Sequence, residues 1–252
     1  MQAVRIIQIP SKILMDSKYS KAVRKAVEML EVNPKDEGHN LKHHQVVWNN
    51  CQRLIKKEKL RVKEELVKVA AFWHDISLKE REKDIGDVEA VDKYLKNYLP
   101  TQGFTGYETR KVTEAVRFHE FRSVPINKEG MILQDADKLD AISLERGLNS
   151  YRAYKNGKFD RNKLINYADT FIKWLPIIKS SFHYESSKRL AEEEIAKIIK
   201  NTTIANILKE LGLSEEFDKA KKVIAAPSPR TRLVILIIIL NKYRSKILAV
   251  ID

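Results

Sequence analysis

The chain has 252 residues, 43% of them hydrophobic and 32% charged, which is long enough to bury a sizeable core and too apolar for a disordered segment. Forty-seven Lys and Arg against 34 Asp and Glu give a net charge of +13. Such a balance draws in phosphate-bearing partners, although interspersed Lys and Glu also fit a solvated surface. The single cysteine, Cys51, excludes an intrachain disulfide and fits a reducing compartment.

In chain order, the opening MQAVRIIQIPSKIL lacks the long apolar core and small-residue cleavage site of a signal peptide, so a cytoplasmic location is expected. YSKAVRKAVEML places Ala22, Val23, Val27 and Leu30 on one stripe and predicts a helix ended by Pro34. NPKDEGHN reads as a loop. Further helices are predicted from about His39 to Lys57, Val62 to His74, Asp84 to Leu99 and Tyr107 to Glu120. The loop SVPINKEG leads into a sixth helix, MILQDADKLDAISLERGLNSY. Arg161 to Leu211 reads as two long helices, with a break near Pro176 as one option. GLSEEFDKAKKVIAA predicts another helix, with Ser214 as its N-cap. PSPRT then interrupts the chain before a last apolar segment. Its core, Leu233 to Leu240, is too short to span a bilayer as a helix. No membrane partner is expected, and covering this run calls for a homodimer or burial within the chain. The expected fold class is all-α.

Five of the six histidines, His39, His43, His44, His74 and His119, fall before residue 120, each near a predicted helix end or face. His183 stands apart and reads as structural. His39 and His43 lie four apart and share a helical face. His74 and Asp75 close the third helix in FWHDIS. In QDADKLDA, Asp135, Asp137 and Asp140 crowd three carboxylates into six residues, which calls for a cation or basic partners. Imidazole with carboxylate suits a divalent metal, with Mn, Fe, Co, Ni, Zn and Mg all candidates. A metal in such a site acidifies water and polarises a phosphoryl oxygen. Neither His43 nor His44 is singled out by this reading, and Asp135 rivals Asp137. There is no GxxxxGK phosphate loop, no GxSxG elbow and no zinc-finger spacing. Cys51 and the three tryptophans, Trp48, Trp73 and Trp174, read as packing residues.

GHNLKHHQVV, AAFWHDIS, AVRFHEF and LQDADKLDA, in that order and spacing, resemble the HD-domain metal-dependent phosphohydrolases. The likeness covers roughly residues 38 to 147 and is nearest to a subgroup of small uncharacterised HD hydrolases. SFHYESSKRLAEE is faintly similar to the helical tail of that subgroup. The resemblance implies an HD-type helical core over residues 1–150, with further C-terminal helices over 151–252 packed on it. It also implies His43, His74, Asp75 and Asp137 as ligands of a divalent metal, Asp137 being chosen because the family's last ligand precedes a basic residue. Catalytic roles are implied for Asp75, for His119 as proton donor to the leaving oxygen, for Lys138 near a substrate phosphate, and for Asp135 as orienting support. His39 matches an extra histidine of the subgroup. The expected activity is hydrolysis of a nucleotide or other small phosphate ester through metal-activated water. The alternative is a non-catalytic nucleotide or nucleic-acid binding module on the same scaffold. The chain departs from the subgroup at Asn40, where Asp is usual, at Val46 and Val47, where Arg-Val is frequent, and at ISLKERE, where some members carry an acidic pair.

Overall fold

The computed structural model describes residues 17–32, 38–78, 87–121, 123–158 and 160–226. Among them the regular structure is entirely helical: α1 (Lys18–Val32), α2 (Leu41–Glu58), α3 (Glu64–Trp73), α4 (Asp87–Thr101), α5 (Gly106–Arg117), α6 (Lys128–Ala141), α7 (Leu144–Lys155), α8 (Arg161–Ile178), α9 (Glu185–Lys200), α10 (Thr202–Leu211) and α11 (Ser214–Ala225), with a 3-10 turn at Lys179–Ser181. The PSPRT breaker and the apolar run Leu233–Leu240 lie outside the described residues.

The chain divides into two compact units. One holds residues 1–51 and 61–133, and the other holds 52–60 and 134–252, so α2 and α6 each run through a boundary. In the first unit α1 packs on α3, and α3 and α4 both pack on α5. Helix α3 is central because its sequence is apolar on every side: Leu66, Val67, Val69, Ala70, Ala71, Phe72 and Trp73 are all buried. Trp73 anchors its end, donating from the indole N–H to Ala22 O at 3.0 Å and stacking on Tyr94 at 5.5 Å. Trp48 and Trp174, expected in the core, are only half-buried. Lys68 lies over the Trp48 ring at 5.8 Å.

Helix α5 starts with a capping box. Thr105 Oγ1 accepts from the Glu108 amide, and Glu108 Oε2 accepts from the Thr105 amide. The same buried carboxylate accepts from Lys18 at 2.5 Å, Lys63 at 2.9 Å and the Tyr19 hydroxyl at 2.5 Å. It therefore ties the start of α1 and the chain before α3 to α5.

In the second unit α8 packs on α11 and α7, and α10 touches α7, α9 and α11. Four boundaries differ from expectation. The predicted sixth helix splits into α6 and α7 because Ser143 leaves the helix and caps α7, its side chain accepting from the Arg146 amide at 3.1 Å. Pro176 sits inside α8, and the break falls at Phe182–Tyr184 instead. Asn201 then separates α9 from α10, its side chain accepting from the Ile204 amide at 3.0 Å. Ser214 is the first residue of α11 rather than its N-cap, the N-cap position being Leu213. Gly212 closes α10 with φ +78, a conformation that costs a residue with a Cβ atom.

Candidate metal centre

Helix α2 brings His43 in its first turn, and its start is fixed by Asn40, whose Oδ1 accepts from the amides of Lys42 at 3.0 Å and His43 at 3.3 Å. Asparagine thus does the capping at the position where the resemblance expects Asp. His74 and Asp75 follow the last turn of α3. They are buried, at 1% and 8% exposure, because the apolar helix before them carries them inward.

The tautomer of His74 is set by its backbone. Nδ1 donates to Ala71 O at 2.9 Å, which leaves the Nε2 lone pair for the centre. His43 Nε2 and His74 Nε2 stand 3.1 Å apart. Asp75 Oδ2 lies 3.3 Å from His74 Nε2 and 3.6 Å from His43 Nε2. Two bonds of about 2.1 Å to one cation, at tetrahedral to right angles, put two donor atoms about 3.0 to 3.4 Å apart. His43, His74, Asp75 and Asp137 each offer a ligand atom, all within 4.8 Å of one another. The imidazole and carboxylate donor types suit a divalent ion, and the His43–His74 and His74–Asp75 separations are those of two ligands on one cation.

Two more histidines of the first unit face the same carboxylate. His119 Nε2 lies 3.7 Å from Asp75 Oδ1, and its Nδ1 donates to Val116 O at 2.6 Å. His39 Nε2 lies 3.8 Å from Asp75 Oδ2, and with 30% side-chain exposure it is the most open of the four histidines around Asp75. Burial pushes the Asp75 carboxyl up, but His74 beside it and the nearby imidazoles of His119 and His43 outweigh this and hold it well below the usual range.

His44 is the histidine that the sequence does not separate from His43. It is fully buried, with its ring 4.7 Å from that of His74 and its Nδ1 donating to the same Ala71 O at 3.0 Å. Burial first, then the neighbouring His74 and His43, push its imidazole well below the ordinary range and keep it neutral.

The three crowded carboxylates of α6 have separate partners. Asp140 Oδ2 accepts from Arg146 at 2.6 Å. The fully buried Asp135 accepts from the amides of His183 at 3.0 Å and Tyr184 at 3.1 Å, at the start of α9. Asp137 joins the histidine cluster. Lys138, for which the resemblance implies a place near a substrate phosphate, is buried, and its ammonium donates to Ser181 O at 2.6 Å and Gln134 Oε1 at 2.9 Å. Burial lowers the Lys138 pKa, against the pull of Asp135 and Asp137. His183 Nε2 contacts Gln134 Oε1 at 2.7 Å.

No helix among the described residues is long and apolar enough to cross a membrane. No curated protein matches the chain. Several solved structures share its fold. A predicted HD superfamily hydrolase from an uncultured Thermotogales bacterium is 24% identical, with a TM-score of 0.52 over 77% of this chain and 91% of its own. Bacillus subtilis YpgQ, solved in complex with ADP, is 23% identical, with a TM-score of 0.53 over 77% and 96%. A Lactobacillus plantarum protein from structural genomics is 20% identical, with a TM-score of 0.57 over 77% and 95%. Against known families, residues 41–142 match the HD domain, and they coincide with the helices that carry the histidine–aspartate cluster. The chain therefore contains an HD domain.

Proposed function

We propose that the protein is a metal-dependent phosphohydrolase acting on a nucleotide or another small phosphate ester. The observation that carries this reading is the set of four donors, His43, His74, Asp75 and Asp137, drawn from three helical segments to within 4.8 Å. A divalent ion held there would acidify water and offset charge developing on phosphoryl oxygens. The chain's own residues do the rest. Ala71 O fixes the His74 tautomer, and Asp75 holds negative charge among four imidazoles. His119, with Nδ1 engaged by Val116 O, has Nε2 as its titrating atom and gives a proton to the leaving oxygen. His39, on the open side, meets the incoming anion. Asp135 and Lys138 act as positioning residues, holding the last turns of α6 that carry Asp137. A nucleotide is favoured as the substrate class because YpgQ was crystallised with ADP and the chain carries +13.

The test is a screen of nucleoside mono-, di- and triphosphates with each divalent metal, run on wild type, His74→Ala and His119→Gln. Phosphate release by wild type, its loss in His74→Ala, and a reduction of about 10²–10⁴-fold with a changed pH profile in His119→Gln are expected. Metal-loaded protein that releases no phosphate from any of them contradicts the reading.

A further inference from the structure

The outer face of α2 has a charge pattern that the metal centre does not use. From Leu41 to Lys57 the helix contains no Asp or Glu. Its exposed positions are Lys42, Gln45, Asn49, Gln52, Arg53, Lys56 and Lys57, and the exposed Lys59 and Arg61 follow directly. At 100° per residue these helical positions fall on one stripe. A solvated surface looks different elsewhere in this chain. Lys96, Lys188, Lys197, Lys219 and Lys221 each pair with a carboxylate one turn away. Among the described residues, Arg53, Lys56, Lys57 and Lys59 have no such partner. The one acid nearby, Glu58, is occupied by the Ser186 amide at 2.7 Å. The helix dipole favours Lys56 and Lys57 in the last turn, but it asks for neither Arg53 nor the cations beyond the helix end.

We propose that this face binds the sugar-phosphate backbone of nucleic acid. The four cations span about 9 Å along the helix, enough to meet several successive phosphates. Gln45, Asn49 and Gln52 supply planar amides, which donate readily to phosphate and sugar oxygens. An anionic membrane surface is a poorer match. A helix lying in a bilayer interface needs exposed apolar residues on the side it inserts, whereas every apolar residue of α2 is buried or half-buried.

The experiment measures binding of a fluorescent single-stranded oligonucleotide to the full chain over a range of salt concentrations. The variants are R53Q/K56Q/K57Q and a control of equal net charge, K93Q/K209Q/K222Q, whose three lysines are exposed on α4, α10 and α11. Wild type should bind with a log–log salt slope of about −2 to −3. The α2 variant should lose at least about tenfold in affinity and reduce the slope by about 2, and the control should change by less than about twofold. Binding should persist after chelation of divalent metal, which keeps this face distinct from the metal centre. The proposal is overturned if both variants weaken binding equally, if wild type does not bind, if chelation abolishes binding, or if phosphatidylserine vesicles bind and the oligonucleotide does not.

Discussion

Asp75 is surrounded by four imidazole nitrogens between 3.3 and 3.8 Å away, and this crowding was partly legible in the chain. The doublet His74–Asp75 at the end of an apolar helix marked a titratable pair driven inward. The spacing to His43 and Asp137 could be read only through a resemblance, because helix periodicity says nothing about which distant turns meet. His44 was not legible for a related reason: two adjacent histidines are equivalent until the packing of α2 on α3 is known. Glu108 is another residue whose surroundings were hidden, although its capping box, TGYE, stood in plain view. Burial raises its pKa, but the hydrogen bonds from Lys18, Tyr19, the Thr105 amide and Lys63 prevail and hold it well below the usual carboxylate range. A folded-state value below the unfolded one means that the unfolded chain binds the proton more readily. The stabilisation is therefore complete above the ordinary glutamate range and is lost as the pH falls through and below it. Glu108→Gln should lower Tm at neutral pH by roughly 3 to 8 °C and leave a shallower decline between about pH 5 and pH 3. Thermal unfolding against pH decides this, and parallel profiles for variant and wild type would show that the charge of Glu108 contributes nothing.

At the level of elements, helices with a clear apolar stripe lie within a few residues of the ends that the stripe predicts. Helices α1, α2 and α5 belong to this group. The errors came where a cap competes with a continuing pattern. Ser143 and Asn201 each accept from an amide three residues ahead and end a helix that hydrophobic spacing alone would extend. Prolines misled in the other direction, since Pro100 and Pro176 both lie within helices close to their C-terminal ends. The tie on the chain entering α9 has no local signal at all, because Asp135 supplies it from 48 residues upstream. Asp135→Ala leaves the amides of His183 and Tyr184 without their acceptor, which costs about 1–3 kcal/mol. The loosened α6 should also weaken metal affinity by about 10–100-fold. Thermal unfolding and metal titration of the same preparation check both outcomes. Undiminished metal affinity in a destabilised variant would confine Asp135 to a structural role.

Over the molecule, the all-helical class of the described residues agrees with a chain of eight Gly and seven Pro and abundant Lys, Glu, Leu and Ala, which favour long helices. The HD domain at residues 41–142 lay within the stretch whose motifs carried the resemblance. The division into two units, with boundaries inside α2 and α6, could not be read from composition, because a helix that crosses a boundary keeps an unbroken pattern. Helix α2 serves both chemistries with different sides: His43 faces the cluster, and the acid-free stripe faces solvent. Titration of metal-stripped protein with Mn²⁺, followed by calorimetry, measures the metal centre itself. Wild type should take up at least one ion per chain with saturable heat. His74→Ala and Asp137→Ala, with unchanged helical circular dichroism, should show no saturable uptake. Equal uptake by all three proteins, or none by wild type with any of the candidate divalent ions, would contradict the metal centre.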